Sequence, residues 1–435
     1  MPSNTHSGRE RIFMEKILIV VFLGLFCGRT ALRYILQRLN LRNLALHGKE
    51  IPSVLAGSID AGVLNKTVDY VSEQSRLETK ENITHDMIEL ATVFLLLPSL
   101  LMWITGMHAH LVAQALIFFA VLFLISGAAG LPFDLYHTFV LEKKYGFSTI
   151  TWKLWLADTA KSVLISAILM AIIIGTVMGF IILLPRSWWF WGWAFFTLFQ
   201  IMMMWLYPVL IAPFFNKFEP IQDEALTEKI TTLLARAGLE TRGIYQVDEG
   251  KRSRHTNAYF TGIGRAKRIV LFDTLLSSHT HDEIASILAH EIGHWKGRHI
   301  LKQLVFTMII SLLLFYIIYH VVNWPPLFNA FRINHNPVYA GFFLILLYLE
   351  VIGFYLSPIG AAVVRHFERE ADRKAVELTG GAQPMINALK RLAKDNLSNL
   401  HPHRWYVCFY YSHPPLVDRI EYLQSLDCRR DKSGE

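Results

Sequence analysis

Long runs of apolar residues constrain this chain more than any other feature of its sequence. The hydrocarbon core of a bilayer is about 30 Å thick, so a helix that crosses it needs about 20 apolar residues. Charged residues make up only 18% of the chain, whereas soluble domains carry about 25%. The sequence therefore predicts a polytopic membrane protein, and five runs clearly meet the required length: Met87–Met107, Leu111–Leu131, Val163–Leu184, Ile300–Val322 and Val338–Val364.

Two further runs are interrupted but are long enough to span a bilayer. Trp188–Phe215 contains Pro208 and Pro213, so we expect a bent or unwound end whose carbonyls are satisfied by neighbouring helices or water. The run around Ile12–Leu36 is broken by arginines and is followed by no small-residue cleavage site, which favours a retained anchor over a signal peptide. The sequence therefore predicts about seven transmembrane helices.

Lysines and arginines are concentrated in the loops on one side of these spans. The segment between the first two spans and the loop between the third and fourth are both rich in them, whereas the alternate loops carry hardly any. Basic loops mark the cytoplasmic side of a membrane protein, which accounts for the formal net charge of +7 without a nucleic-acid partner. Seven spans then place Asn216–His299 and the segment after Val364 together on the cytoplasmic side.

The predicted spans divide the chain into successive segments. The first cytoplasmic segment is predicted to begin with an amphipathic helix near Glu224–Ala237, followed by strand-like runs at Gly243–Val247 and Arg268–Phe272. We therefore expect a predominantly α-helical membrane protein that contains a small β-sheet. The segments are 1–215 with five spans, 216–299 as the first cytoplasmic segment, 300–364 with two spans, and 365–435 as the second cytoplasmic segment.

The segment His290-Glu291-Ile292-Gly293-His294 lies in a predicted helix that leads towards the sixth span. Residues four apart share a helix face, so both imidazoles can reach one metal ion. Glu291 lies about 100° around the helix, where its carboxylate can contact a water molecule beside the metal. Two ligands, a base and an open position are what a zinc hydrolase needs. An ordinary polar helix end is the alternative, and the position at the membrane boundary favours the catalytic site.

A third protein ligand is required to complete such a centre. His299 falls one residue early for a third histidine and on a different helix face, so we reject it as a ligand. Glu368 and Asp372 lie four residues apart and share a face, while Glu370 points away. Glu368 could bind the metal, and Asp372 could accept a hydrogen bond from a ligating imidazole. A solvated helix whose arginines pair with these acids explains the spacing equally well.

Several longer motifs follow one another in a fixed order between Asp134 and Leu423. They are Glu142–Ser148, Tyr207–Pro208, Ala212–Phe218, Lys251–Phe260, Arg268–Leu276, His290–His294, Glu368–Asp372 and Tyr411–Leu416. Together with seven spans, these motifs resemble the Ste24-type CAAX prenyl proteases, a group of M48-family metallopeptidases. The resemblance implies a gluzincin-like zinc metalloprotease domain that closes a chamber enclosed by seven helices. The region before Asp134 matches poorly.

The resemblance also implies roles for residues around the metal. Glu368 would be the third ligand of one zinc ion per chain, with Asp372 behind the ligands. His413 and Arg419 would lie near the scissile carbonyl, where they would donate hydrogen bonds to the developing oxyanion. From the residues alone, a His-Pro-Pro turn that ends a helix is the favoured interpretation of His413.

A substrate-binding strand is a further implication of the resemblance. Asn257, with Ala258 and Tyr259, would lie on an edge strand that pairs with the backbone of a bound peptide. Such strand addition binds many sequences through main-chain hydrogen bonds. Without the resemblance, Asn257 would be interpreted as a turn residue.

The predicted reaction is peptide-bond hydrolysis, with Glu291 accepting the proton of the attacking water and returning it to the leaving amine. The resemblance implies CAAX-type prenylated C-terminal peptides as substrates. A quality-control protease that cleaves misfolded membrane proteins without a prenyl requirement would use the same residues, so it stays open. A zinc-sensing receptor or transporter is an alternative of another class. It is disfavoured because no second set of intramembrane acids or histidines at midplane supports transport.

The expected partners are membrane lipid and a peptide or protein substrate, and the resemblance implies that the substrate carries a prenyl group. The C-terminal tail carries no retrieval signal, which favours a bacterial inner membrane, with the endoplasmic reticulum membrane expected for a eukaryotic chain. In both cases we expect the zinc domain to face the cytoplasm.

Overall fold

Helices account for most of the molecule, as the apolar runs predict. The computed structural model describes the backbone of residues 4–261 and 266–433, and the side chains of residues 12–260 and 268–428. Residues 1–3 and 434–435, at the ends of the predicted first and last segments, lie outside the described residues. The first helices are α1 (Asn4–His47), α2 (Ala61–Ala91), α3 (Leu97–Gly106), α4 (Leu111–Tyr136), α5 (Glu142–Tyr145), α6 (Trp152–Leu183) and α7 (Trp188–Leu206).

The remainder of the chain alternates a small sheet with further helices. The strands are β1 (Phe218–Pro220), β2 (Glu240–Val247), β3 (Ala258–Thr261) and β4 (Ala266–Phe272). The helices are α8 (Glu224–Ala237), α9 (Asp273–Ser278), α10 (His281–Lys296), α11 (His299–Val321), α12 (Pro325–Ala330), α13 (Val338–Thr379), α14 (Gln383–Asp395), α15 (Arg404–Tyr410) and α16 (Leu416–Ser433). Turns of π-helix lie at Thr92–Leu96, His137–Leu141 and Tyr207–Ile211.

Six continuous helical segments of the described chain are long and apolar enough to cross a membrane. They contain six of the predicted spans, and the bent end expected at Pro208 is a π-helical turn. The remaining predicted span, Ile12–Leu36, lies within α1, whose 44 residues extend about 66 Å. The six segments are Ala61–Gly106, Leu111–Tyr145, Trp152–Leu183, Trp188–Phe214, His299–Val321 and Val338–Thr379.

An ionic cluster around the buried side chain of Arg29 joins α1, α2 and α13. Arg29, which is fully buried, donates from Nη1 to Glu350 Oε1 over 2.7 Å and from Nη2 to Asp86 Oδ1 over 2.8 Å and Glu89 Oε2 over 3.0 Å. Glu89 and Glu350 of this cluster lie within predicted spans. A buried charge in a membrane protein is costly unless it is paired, so these ion pairs hold the three helices together. This structural role explains the presence of the acids without a role in transport.

The sheet lies beside the membrane helices in the order β1-β2-β4-β3. β2 and β4 are parallel, with Gly243 opposite Arg268 and Val247 opposite Phe272, which confirms the predicted strand-like runs. β3 pairs antiparallel with β4 and is an edge strand. The predicted amphipathic helix is confirmed as α8, and it buries Ile230 in one core with Ile269 of the sheet and with α10.

The helices α10 and α13 approach each other closely at Gly293. A Cβ atom at this position would lie 2.8 Å from both Cα and O of Ala371, which is shorter than any ordinary contact. Glycine is therefore required at the crossing point. The crossing brings the predicted metal-binding helix against the C-terminal half of α13, where the charged run Glu368–Asp372 lies.

Candidate metal centre

The helix that carries the candidate ligands begins with a capping box. The Thr280 hydroxyl accepts a hydrogen bond from Glu283 N, and the Glu283 carboxylate accepts one from Thr280 N, so two of the free amides at the helix start are satisfied. Ile284, Leu288 and Ile292 then lie in the core with the sheet. Burial of that face directs His290 and His294 towards α13, as the four-residue spacing predicts.

Three side chains converge at the crossing of α10 and α13. His290 Nε2 lies 3.2 Å from Glu368 Oε2, and His294 Nε2 lies 3.2 Å from Glu368 Oε1. The two Nε2 atoms are themselves 3.2 Å apart. Among the described residues, these three form the group of histidine, cysteine or acidic side chains whose ligand atoms could hold one metal ion.

The separations of these donor atoms fit a zinc ion. Donors at the corners of a tetrahedron, about 2.0–2.1 Å from a central ion, lie about 3.3–3.4 Å from one another. The two Nε2 atoms are 3.2 Å apart, and each lies 3.2 Å from a different oxygen of the Glu368 carboxylate, so each of these pairs is close to the tetrahedral spacing. Two imidazoles and a carboxylate are also a donor set that zinc enzymes use, with a fourth position left open.

Asp372 lies directly behind His290. Its Oδ1 atom is 2.7 Å from His290 Nδ1, and its side chain is completely buried. Arg419 holds the same carboxylate through two hydrogen bonds, from Nη2 to Oδ1 over 2.6 Å and from Nε to Oδ2 over 3.0 Å. Burial acts against the charge of Arg419, but the Asp372 carboxylate outweighs this effect and raises the pKa of Arg419.

The position of Arg419 differs from the one that the resemblance implies. Its guanidinium lies on Asp372, on the far side of His290, and the residue is buried. A group held there cannot reach a carbonyl on the open side of the centre without abandoning a buried carboxylate. We therefore treat Arg419 as a residue that orients Asp372, and not as a donor to the oxyanion.

Glu291 lies next to the three converging side chains but is not one of them. Burial raises the pKa of its carboxyl, while the nearby rings of His290 and His294 act in the opposite direction. A carboxylate with a raised pKa is a better proton acceptor than an exposed one. Glu291 therefore has the surroundings expected of a general base.

His413 reaches the centre from the turn between α15 and α16. Its Nδ1 atom lies 2.7 Å from Glu368 Oε2, and its side chain is 60% exposed. His413 is therefore an exposed side chain in contact with a buried one, since the Glu368 side chain is only 3% exposed. The rest of the His413 ring is therefore accessible to solvent.

Asn257, Ala258 and Tyr259 lie at the start of the edge strand, as the resemblance implies. Asn257 O accepts a hydrogen bond from Phe272 N of β4 over 3.1 Å, and Asn257 Oδ1 accepts one from Ala258 N over 2.8 Å. Tyr259 is paired with Val270 in β4. The strand packs against α10, and within the described residues its other edge is paired with no strand.

Two residues near the centre were missed or set aside in the sequence. His299, rejected as a ligand, has its Nδ1 atom 3.0 Å from His294 Nδ1. Glu370, which points away from the metal, lies 3.1 Å from His299 Nε2. The sequence signal that could have found His299 is its position five residues after a candidate ligand. A histidine at that spacing can contact the ligating histidine without binding the metal itself.

Two of the long sequence motifs interlock beside the sheet. Ser148 and Ser253 form an isolated antiparallel bridge. His255 lies between Glu142 and Asn396, with its Nε2 atom 3.2 Å from Glu142 Oε2 and its Nδ1 atom 3.0 Å from Asn396 Oδ1. These contacts join a membrane helix to the loop that leads into β3, so the motifs position the edge strand.

Comparisons with known proteins extend over nearly the whole chain. The family model described as CAAX prenyl protease N-terminal, five membrane helices, matches residues 40–217, and the model of peptidase family M48 matches residues 220–427. The CAAX prenyl protease 1 homolog of Oryza sativa is 33% identical over 403 residues, which cover 89% of this chain and 93% of that protein. CAAX prenyl protease 1 of Saccharomyces cerevisiae is 33% identical over 405 residues, covering 86% and 88%.

The fold of a solved relative also matches. The crystal structure of S. mikatae Ste24p has a TM-score of 0.84 and 30% sequence identity with this chain, and the match covers 94% of this chain and 99% of that one. The likeness therefore includes both the membrane helices and the domain that carries the converging side chains.

Proposed function

This chain belongs to peptidase family M48 and is an integral membrane metalloendopeptidase, and we propose that it hydrolyses peptide bonds with one zinc ion held by His290, His294 and Glu368. The single observation that carries the proposal is the set of 3.2 Å separations between the donor atoms of these residues. The resemblance noted in the sequence is confirmed at the level of the family, and a receptor or transporter is correspondingly disfavoured.

The chain's own residues divide the work at this centre. When bound, a zinc ion polarises the substrate carbonyl and makes water more acidic. The carboxylate of Glu291 accepts a proton from the attacking water and then delivers it to the nitrogen of the leaving amine. Because burial raises the pKa of Glu291, the same group can hold the proton between these two events.

Two further residues act on either side of the ligands. His413, which is exposed and adjacent to Glu368, donates a hydrogen bond to the carbonyl oxygen as negative charge develops on it. A donor of this kind contributes about 3 kcal/mol to transition-state stability. Asp372, which Arg419 holds in place, accepts a hydrogen bond from the Nδ1–H group of His290. This hydrogen bond keeps the proton on Nδ1 and leaves Nε2 free to bind the metal.

The edge strand β3 is the proposed site for the substrate backbone. Asn257, Ala258 and Tyr259 present one side of their backbone beyond the sheet, and an extended peptide can add to that edge as a further strand. Because β3 packs beside α10, a peptide in this position runs past the metal centre. Recognition through backbone hydrogen bonds places little restriction on the sequence of the peptide.

We propose prenylated C-terminal CAAX peptides as the substrate class. The relatives from rice and yeast carry the name CAAX prenyl protease. A cavity of about 720 Å³ lies between α1, α2 and α15, and most of its lining area is apolar, which suits an isoprenoid chain. Tyr406 and Tyr410 of its lining belong to α15, the helix that leads into the turn carrying His413. A protease without a prenyl requirement is the second candidate.

The orientation in the membrane is part of the proposal. The protein is a multi-pass membrane protein, and the basic loops between its spans support a cytoplasmic position for the metal centre. This applies equally to a bacterial inner membrane and to the endoplasmic reticulum.

A matched pair of peptides tests the proposed function. The purified full-length protein in detergent is given the same CAAX peptide with and without a farnesyl group, and Glu291→Ala serves as the inactive control. Chelator-sensitive cleavage of only the farnesylated peptide supports the prenyl substrate. Equal cleavage of both retains the protease and removes the prenyl requirement. Equal silence of wild type and Glu291→Ala on both peptides, with zinc bound, overturns the catalytic assignment.

A further inference from the structure

Each of the two candidate histidine ligands has a partner at its Nδ1 atom, and the two partners differ. His290 faces the carboxylate of Asp372, as in many metal sites where a second group fixes the ligand. His294 faces another imidazole, since His294 Nδ1 lies 3.0 Å from His299 Nδ1. His299 is 2% exposed, so water does not compete for this contact.

The positions of the protons in this chain of contacts follow from one requirement. If His294 binds a metal through Nε2, its Nδ1 atom must carry the proton. His299 Nδ1 must then accept that proton's hydrogen bond, which leaves the His299 proton on Nε2. His299 Nε2 in turn donates to Glu370 Oε2 over 3.1 Å, and Glu370 Oε1 accepts from Lys374 Nζ over 2.6 Å. Every donor in the series meets an acceptor.

The backbone around His299 is shaped to place its ring. The helix α10 ends at Lys296, Arg298 adopts a left-handed conformation with φ of 53°, and α11 begins at His299. The imidazole lies over Gly297, where a Cβ atom would collide with the ring. Phe367 stacks on the ring at 4.2 Å with an interplanar angle of 9°. A glycine, a left-handed residue and a stacked aromatic ring together leave His299 one orientation.

We propose that His299 is a positioning residue that fixes the tautomer and ring orientation of His294, with Glu370 and Lys374 completing the series. The inference rests on the proposed zinc site. The acceptor behind His294 is thus an uncharged imidazole, whereas the acceptor behind His290 is the Asp372 carboxylate.

Substitutions at His299 distinguish this role from simple core packing. His299→Leu fills a similar volume with an apolar side chain and removes the acceptor atom Nδ1. His299→Asn keeps a hydrogen-bond acceptor near the position of Nδ1. Glu370→Gln leaves His299 in place and removes the charge at the end of the series. Glu377→Gln is the matched control, because Glu377 lies on the same helix and its side chain is 66% exposed.

The readout is metal retention by the purified full-length protein. Zinc transfer to a colorimetric chelator is timed, and the absorption spectrum of the cobalt-substituted protein reports ligand geometry. Loss of a group behind a ligand typically weakens metal binding about 10- to 100-fold. We expect a loss in that range for His299→Leu, a smaller one for His299→Asn and Glu370→Gln, and none for Glu377→Gln. The cobalt spectrum should shift in His299→Leu.

The outcomes separate this inference from the proposed function. Wild-type protein that binds no zinc refutes the zinc site itself. Wild type that binds zinc and cleaves peptide, with a folded His299→Leu protein that matches it in zinc transfer and cobalt spectrum, overturns the positioning role alone. If His299→Leu does not fold, Glu370→Gln decides, and wild-type behaviour of that variant overturns the inference.

Discussion

Replacing Gly293 by alanine should damage the metal centre by moving two helices apart. The new Cβ atom would lie 2.8 Å from Cα and O of Ala371, and ordinary contacts begin at 3.4 Å. Because the obstructing atoms belong to the backbone of α13, no side-chain rotation relieves the contact. The helices must separate by about 0.6 Å, which is about three times the tolerance of a metal–ligand distance.

Two energies follow from that displacement. Overpacking costs about 1–3 kcal/mol, whereas the better helix propensity of alanine returns about 1 kcal/mol. The free energy of unfolding of the metal-free protein should therefore fall by no more than about 2 kcal/mol. Zinc binding should suffer more, because Glu368 lies on one helix and both histidines lie on the other. We expect zinc affinity to fall at least about 10-fold, as for other disturbed ligand shells.

Chelator competition and thermal unfolding of the metal-free protein measure the two effects separately. Gly353→Ala, on the partner helix α13, is the control because a Cβ atom at Gly353 would meet nothing within 4 Å. A Gly293→Ala protein with wild-type zinc affinity and peptidase activity refutes the claim that this crossing sets the donor geometry.

Four further predictions use other residues of the same region. Glu291→Gln should bind zinc like wild type in an equilibrium titration while kcat falls by about 10²–10⁴-fold; wild-type kcat would exclude Glu291 as the base. His413→Ala should lower kcat/KM about 100-fold or more with zinc content unchanged, and a loss of zinc would assign it to metal binding instead. Asp372→Asn should accelerate zinc loss to a chelator about 10- to 100-fold, and an unchanged rate would contradict its place behind His290. The hydrogen bond that His255 donates to the Glu142 carboxylate raises the pKa of His255. The stability from this pair is therefore fully present below about pH 6.5 and is lost as pH rises through the higher folded pKa. The difference in Tm between wild type and His255→Gln should shrink over that range, and a constant difference would refute the linkage.

Local periodicity predicted those parts of the molecule that depend on neighbouring residues. The apolar runs became membrane-capable helices, the pattern at Glu224–Ala237 became α8, and the four-residue spacing of His290 and His294 placed their Nε2 atoms 3.2 Å apart. In each case the structure is fixed within a few turns of helix, so spacing alone is informative.

Contacts between distant residues were beyond that reasoning. Arg29 and Glu350 are 321 positions apart in the sequence. The two residues meet because α1 packs against α13 in the folded protein. Arg419 was placed by resemblance near the scissile bond, yet its buried side chain satisfies Asp372. A buried charged group pairs with the nearest opposite charge. Tertiary packing decides which charge is nearest, and the spacing of residues in the sequence does not predict it.

His299 shows a different limit of pattern reasoning. Counting 100° per residue from His294 puts His299 on another face of the helix, which holds only while one helix continues. Arg298 leaves the helical region of backbone space, so α11 starts in a new direction and carries His299 back towards His294. The residues that break the helix, and not the periodicity, decide which side chains meet at the boundary between the metal centre and the membrane.

The helix α13 crosses the boundary between the membrane and the candidate metal centre without interruption. A single helix of 42 residues contains both an apolar stretch long enough to span the bilayer and the acids Glu368 and Asp372. On the other side, α11 begins three residues after α10 ends, and its first residue contacts a candidate ligand. Two membrane helices therefore continue directly into the residues proposed to hold or orient the metal, so the arrangement of the spans and the geometry of the candidate centre are determined together.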